Sequence, residues 1–131
     1  MFTEQGTLVV SLIKWTVLAV AVGILTGLGT TLFLRILDFA IRSMAHAPLR
    51  LLWLPVGFVA AHLLVRFIAP DAEGHGTDKV IEAVHQRSGR IPLTVAPVKL
   101  AATVATIAVG GSVGKEGPAA QIGASLASGL A

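Results

Sequence analysis

Long runs of apolar residues alternate with short polar segments along this chain, and the longest run predicts a helix that crosses a membrane. Residues 15–34 contain no charged side chain, and about twenty residues of helix span the hydrocarbon core of a bilayer. We expect this helix to continue past Arg35 towards Ala45, which would make it long and tilted. A turn is expected at Pro48, followed by a second apolar run over residues 51–65 that can also span.

The first apolar run contains Gly23, Gly27 and Gly29. Small residues at this spacing let a neighbouring helix approach closely. Glycine is also common in membrane helices for no such reason. The sequence leaves these two interpretations equally open.

Residues 70–97 form a polar segment that interrupts the apolar pattern. The charge pattern predicts a loop, a short amphipathic helix near residues 78–86 and a second loop. Basic residues in this segment and near the N-terminus outnumber those between the first two apolar runs. This bias favours a cytoplasmic N-terminus and a cytoplasmic 70–97 segment.

Two short apolar runs, residues 100–114 and 117–131, complete the chain. Fifteen residues of helix measure roughly 22 Å against roughly 30 Å of hydrocarbon, so neither run spans comfortably alone. Short helices broken by Gly and Pro are typical of a transport site near the membrane midplane. The last run has no C-terminal capping signal, so we expect residues 1–131 to be the N-terminal portion of a longer transmembrane domain, cut in mid-helix.

Composition supports a membrane protein and excludes several other classes. Hydrophobic residues make up 54% of the chain and charged residues 13%, with a mean hydropathy of +0.81; soluble domains carry nearer a quarter charged residues. The absence of cysteine excludes disulfides and thiolate metal sites. The basic residues are scattered, which argues against nucleic-acid binding. No nucleophile–base pair indicates an enzyme, and no motif indicates a cofactor.

A lone acid, Glu116, lies in the glycine-rich stretch GGSVGKEGPAAQIG, residues 110–123. Pro118 suits the first turn of a helix, so a helix should begin near Glu116. The free N–H groups and positive dipole end of such a helix attract an anion. An ionised Glu116 could occupy that position itself and leave it on protonation, acting as gate and proton carrier.

Other interpretations compete with an anion site. A phosphate-binding P-loop is rejected because Val109 replaces its first glycine and Glu116 its Ser/Thr. Glu116 could instead be a structural charge at a helix start within a small-residue helix crossing, or face lipid at a helix end. His46 and His62 are expected to serve in interfaces or helix packing.

A metal site is a further alternative for the polar segment. His75, Asp78, Glu82 and His85 would share one helix face, but they supply only half of a di-iron pattern. A polar surface facing the cytoplasm is the preferred interpretation, and no metal is expected.

The stretch GGSVGKEGPAAQIG resembles the G-[KR]-E-G-P signature of the ClC family of chloride channels and proton-coupled chloride exchangers. The preceding APVKLAATVATIAV resembles the helix ahead of that signature, and GHGTD at 74–78 falls where the family has G-S-G-I-P. The resemblance implies an all-α integral membrane protein, the N-terminal part of a ClC-type inverted-repeat fold with tilted and broken helices.

The resemblance also implies roles for individual residues. Glu116 would be the external gating glutamate, and Lys99 would raise the positive potential of the pathway. The anion-binding residues would be Gly74, His75, Gly76, Gly114, Lys115, Gly117 and Pro118. His75 stands where the family has serine and Asp78 where it has proline, which bears on ion selectivity.

The function expected from these residues is transport of a small anion, chloride first, across the cell membrane by a multi-pass protein. It would act as a voltage- or pH-gated channel or as a proton/chloride antiporter, and the full-length protein would be a homodimer in the lipid bilayer. The alternative is a structural helix bundle or partner-binding subunit without transport activity.

Overall fold

The computed structural model describes residues 2–130, with side-chain environments from residue 8 onward, and this part of the chain is helical without strands. Two short 3-10 turns, Arg50–Trp53 and Pro70–Ala72, flank the second helix. The five helices are α1 (Phe2–Ala45), α2 (Leu54–Ile68), α3 (Gly76–Gln86), α4 (Val95–Ala108) and α5 (Glu116–Ser128). The all-α fold class expected from the sequence is confirmed.

The first helix is longer at its N-terminal side than the apolar run that predicts it. It begins at Phe2 and ends at Ala45. The end at Ala45 agrees with the prediction from sequence. Polar residues such as Lys14 do not interrupt it, because a charge on the helix surface breaks no backbone hydrogen bond. Proline does remove one, and the first proline, Pro48, falls in the turn after the helix.

Helices α1 and α2 carry the apolar surface that a lipid environment would cover. Residues 8–45 and the segment Arg50–Ile68 are long and apolar enough to cross a membrane. Large side chains such as Trp15, Leu28, Phe39 and Phe67 are exposed along them. Contiguous exposed apolar surface of this extent is unfavourable in water and favourable in a bilayer.

Helix α1 packs against α4 and α5 around a core centred on Phe33, which has no exposed surface. Leu37, Ala96 and Ile122 complete the buried part of this cluster.

The three glycines of α1 behave differently from one another. A Cβ at Gly29 would overlap the side chain of Leu126 on α5, whereas a Cβ at Gly23 or Gly27 would meet nothing within 4 Å. Gly29 therefore lies at a close helix contact. Gly23 and Gly27 do not contact another helix within the part of the chain that the structure describes.

Helix α2 packs against α4 through a second close contact. A Cβ at Gly57 would lie 2.6 Å from the carbonyl oxygen of Ala105 and 2.8 Å from Val109 Cγ2. Buried Ala69, Ala72 and Val95 close this interface at the end of α2. The contact holds α2 beside α4 and leaves one side of both helices facing the site described below.

Helices α4 and α5 are separated by a short non-helical segment. Residues 109–115 between them are irregular, with Gly110 at a φ of +104° that favours glycine. The expected interruption near residues 114–117 is confirmed, because α5 begins at Glu116. Because the chain is not helical here, the N-terminus of α5 is free to pack against α3.

Candidate anion-binding site

The N-termini of α3 and α5 meet at two glycines. A Cβ at Gly76 would overlap the carbonyl group of Gly117, and a Cβ at Gly117 would lie 3.3 Å from the backbone nitrogen of Gly76. His75 belongs to the same contact, because its Cε1 would lie 3.5 Å from a Cβ at Gly117. Residues about forty positions apart in sequence thus form one backbone crossing, with no room for a Cβ at Gly76 and little at Gly117.

Neither helix N-terminus is capped by a side chain. His75 is the N-cap of α3 and Lys115 the N-cap of α5, and neither side chain bonds to its helix. The first in-helix bonds run from Lys79 N to His75 O (3.2 Å) and from Ala119 N to Lys115 O (3.1 Å). The N–H groups of the first turns precede these bonds, so two positive dipole ends and their donors converge.

A cavity of about 550 Å³ opens beside this crossing. One face of α2 and one face of α4 form two of its walls, and the starts of α3 and α5 form the others. The side chains from the two walls are Phe58, Ala61, His62, Val65, Lys99, Ala102, Thr103, Thr106 and Ile107.

Most of the residues predicted for the site come together around this cavity. Its lining includes Gly74, His75, Gly76, Lys99, Gly114, Glu116, Gly117 and Pro118. Lys115 is exposed and lies outside the lining. Asp78, which could have repelled an anion, is also exposed and outside the lining, in the first turn of α3.

Lys99 is a buried cation that holds the turn leading to α3. Its Nζ donates hydrogen bonds to the carbonyl oxygens of Ala72 and Gly74, both at 2.8 Å, and 8% of the residue is exposed. An ammonium group has three donors, so one remains after these two bonds. Lys99 therefore both orients the turn and brings positive charge to the cavity wall.

Glu116 is the first residue of α5 and is exposed on the cavity lining. The ion pairs found within residues 8–130 join other residues, in α1 and around α3. A carboxylate in the first turn of a helix is stabilised by the positive end of the helix dipole.

The residues of the alternative metal site do not assemble. Among the side chains that the structure describes, residues 8–130, no group of three or more His, Asp or Glu is arranged to hold a metal ion. Glu82 accepts a hydrogen bond from Lys79 at 2.9 Å, and His85 Nδ1 lies 2.9 Å from the carbonyl oxygen of Ile81. The polar-surface interpretation of this helix is the one that the contacts support.

Several residues of the site are not identified by sequence reasoning. His62, assigned to helix packing, lines the cavity, as do Thr103 and Thr106. Outside the cavity lining, Gln121 and Ser125 are buried polar residues on α5 that the sequence reasoning also leaves unassigned. Gln121 and Ser125 are four residues apart and so share one helix face. This spacing is the sequence signal from which a polar pair on one face of α5 could have been predicted.

Comparison with known proteins places the chain in a family. The sequence profile described as voltage gated chloride channel matches residues 56–131. A chloride/fluoride channel protein of Pseudomonas syringae pv. tomato is 35% identical over 124 residues, which are 95% of this chain and 27% of that protein. An uncharacterized protein of Methanocaldococcus jannaschii is 33% identical over 118 residues, 90% of this chain and 28% of that protein.

The chain thus spans about a quarter of the length of these curated relatives (27% and 28%). No solved structure matches it significantly. The profile match covers α2 to α5 and includes the helix crossing and its glycines. On this match and the resemblance of its Gly-Lys-Glu-Gly-Pro segment, the chain belongs to the ClC family of voltage-gated chloride channels and related transporters.

Proposed function

We propose that the native protein carrying this sequence moves small anions, chloride foremost, across a membrane. The observation that carries this proposal is the meeting of two uncapped helix N-termini at Gly76 and Gly117 beside a cavity that also holds Lys99. Two helix dipoles and a buried cation favour an anion there. The glycines allow an anion to approach the backbone.

Glu116 is the gate in this proposal. Its ionised carboxylate competes with a transported anion for the N-terminus of α5, and protonation removes that competition. Family membership supports the assignment, because the segment Gly114–Pro118 matches the family signature. The same carboxylate would carry the proton if the protein is an exchanger rather than a channel.

The whole-protein properties extend this proposal. The native protein would be a multi-pass protein of the cell membrane and a homodimer, and the 131 residues would be the N-terminal portion of its transmembrane domain. The name of the Pseudomonas relative makes chloride and fluoride the anions to compare first.

Anion flux from proteoliposomes tests the proposed function. The native protein is reconstituted in vesicles loaded with potassium chloride, and chloride efflux is recorded before and after a potassium ionophore is added to carry the balancing charge. We expect little efflux without the ionophore and, once it is added, chloride efflux well above that of protein-free vesicles. Loss of potassium chloride that does not depend on the ionophore, or no efflux above background from a correctly folded protein, would contradict the proposal and favour a structural role.

A further inference from the structure

We propose that Gln121 is a positioning residue of the anion site: it fixes the separation of the two helix N-termini and thereby the affinity for the anion. The inference rests on the proposed function and names a residue beyond the family signature. Gln121 lies one turn after Gly117 on α5 and is 1% exposed. Its Nε2 donates a hydrogen bond of 2.8 Å to the carbonyl oxygen of Asp71.

This bond is one of three that hold the turn before α3. Gln121 binds the carbonyl of Asp71, while Lys99 binds those of Ala72 and Gly74. His75 and Gly76 follow directly and begin α3. Gln121 on α5 and Lys99 on α4 thus donate to these carbonyl oxygens. Without these hydrogen bonds, the negatively polarised oxygens could turn towards an anion.

Gln121 also lies at the closest approach of the two helices. A Cβ at Gly76 would lie 3.1 Å from the Cβ of Gln121, next to the carbonyl of Gly117. Gln121 therefore packs beside Gly76 and Gly117 at the crossing, and its hydrogen bond to Asp71 ties α5 at this point to the turn that leads into α3.

The second polar atom of Gln121 lies beside a small cavity that can hold a water molecule. Its Oε1 is buried and has no hydrogen-bond partner within the described chain. Beside Gln121 is a small cavity of about 20 Å³, whose lining includes Asp71, Glu82 and Arg87. One water molecule fits a cavity of this size and could donate to Oε1. Methionine would fill the same volume without either interaction.

The test measures the chloride dependence of flux for three variants of the native protein in proteoliposomes. Gln121→Met should raise the half-saturating chloride concentration severalfold, up to about tenfold, which is the limit if the whole contribution of the lost Gln121–Asp71 hydrogen bond appears in anion binding, while the maximal rate changes less than about twofold.

Ser125→Ala is the matched control. Ser125 is also fully buried on α5, and its Oγ donates to the carbonyl oxygen of Pro92 at 2.7 Å. It lies one turn beyond the helix crossing. The variant should lower thermal stability and leave the half-saturating chloride concentration unchanged.

Gln121→Glu separates hydrogen bonding from packing. A carboxylic acid can donate to the Asp71 carbonyl and a carboxylate cannot, so this variant should approach wild-type affinity as the pH is lowered. The charged side chains around the small cavity are Asp71, Lys79, Glu82, Arg87 and Arg90. Gln121→Met has the same charged neighbours, so any change of its half-saturating chloride concentration with pH measures the effect of their titration.

The outcomes distinguish the two proposals. Wild-type protein without saturable chloride flux would contradict the proposed function and this inference with it. Saturable wild-type flux with an unchanged half-saturating concentration in Gln121→Met would contradict the inference alone. Equal increases in Gln121→Met and Ser125→Ala would also contradict it, since any buried bond on α5 would then suffice. If Gln121→Met does not fold, the pH response of Gln121→Glu decides.

Discussion

Gly76 sets how closely α3 and α5 approach, because a Cβ there would collide with the carbonyl group of Gly117, whereas a Cβ at Gly117 would make only a tight contact of 3.3 Å with the Gly76 nitrogen. A flexible side chain can move aside, but a carbonyl group in a helix cannot do so without displacing the helix. The contact between Gly76 and the Gly117 carbonyl is therefore the most sensitive point of the helix crossing.

Replacing Gly76 by Ala should force the two helix N-termini apart. We expect a loss of stability on the order of 1–3 kcal/mol, the usual cost of overpacking, and a marked loss of chloride flux. Thermal unfolding in detergent and flux in proteoliposomes measure the two effects. Gly114→Ala is the control, because a Cβ there meets nothing within 4 Å and Gly114 lines the same cavity. Equal effects of the two substitutions would show that the crossing is not tightly packed.

His75 places an imidazole at the helix crossing and on the cavity lining. We expect His75→Ser to change the ratio of chloride to nitrate flux, because it replaces an imidazole donor with a smaller hydroxyl donor beside the proposed anion position. His62→Ser is the control, since His62 also lines the cavity but belongs to α2 and to neither helix N-terminus. An unchanged flux ratio in His75→Ser would place His75 off the anion pathway.

At the scale of elements, α3 is held at its outer surface by ion pairs. Lys79 Nζ lies 2.9 Å from Glu82 Oε2, and Arg87 Nη1 lies 2.7 Å from Asp71 Oδ1. The hydrogen bond and charge of Lys79 lower the pKa of the Glu82 carboxyl. The Asp71 carboxylate raises the pKa of Arg87. The Lys79–Glu82 pair lies within α3, and the Arg87–Asp71 pair connects the C-terminal end of α3 to the turn whose carbonyl oxygens accept from Gln121 and Lys99.

The lowered pKa of Glu82 predicts how the stability of α3 depends on pH. Its contribution is complete above the usual carboxyl pKa of about 4.3 and is lost as the pH falls through the lower folded-state value. The effect should be small because Glu82 is partly exposed. Glu82→Gln should lose part of the acid sensitivity of thermal unfolding between neutral pH and pH ~3. A variant with the wild-type pH profile would contradict this role of the Lys79–Glu82 pair.

The elements could be predicted where one local signal dominates. The end of α1 follows from the nearby Pro48, and the start of α5 follows from Pro118 and the glycines before it. The start of α1 at Phe2 could not be predicted from apolar residues alone, since surface charges do not stop a helix.

The contents of the site were predictable only in part. Glu116 and the glycines before it follow from a lone carboxylate at a helix start marked by Pro118, whereas Gly74, Gly76 and Lys99 are assigned only through the resemblance to a family motif. Gln121 and His62 were missed because their positions depend on which helix faces meet, and that is decided by packing between distant segments.

At the scale of the whole molecule, the chain presents apolar surface on α1 and α2 and a cavity open on one side. Its relatives are much longer, since the chain covers 27% of one and 28% of the other. In an inverted-repeat transporter, the site forms between two repeats. The described helices would then supply only some of the groups around a transported anion.

The 131-residue chain alone should therefore give no chloride flux. Efflux from proteoliposomes containing only this chain should equal that of empty vesicles, whereas the native protein should conduct. Circular dichroism of the reconstituted chain serves as the control for helical folding. Robust, chloride-selective efflux by the chain alone would show that these helices form a complete pathway.

The most direct test of the account is the pH dependence of chloride flux in Glu116→Gln, compared with Glu73→Gln. Both carboxylates lie on the cavity lining, but only Glu116 begins a helix at the crossing. Glutamine is nearly isosteric and cannot ionise, so it competes poorly with the anion for the α5 N-terminus.

Flux is recorded while the pH is varied separately on each side of the membrane. We predict that Glu116→Gln conducts chloride but loses most of the pH dependence of the wild type, together with any coupled proton movement, and that Glu73→Gln keeps both. Wild-type pH dependence in Glu116→Gln would contradict the account and leave Glu116 as a structural charge at a helix start.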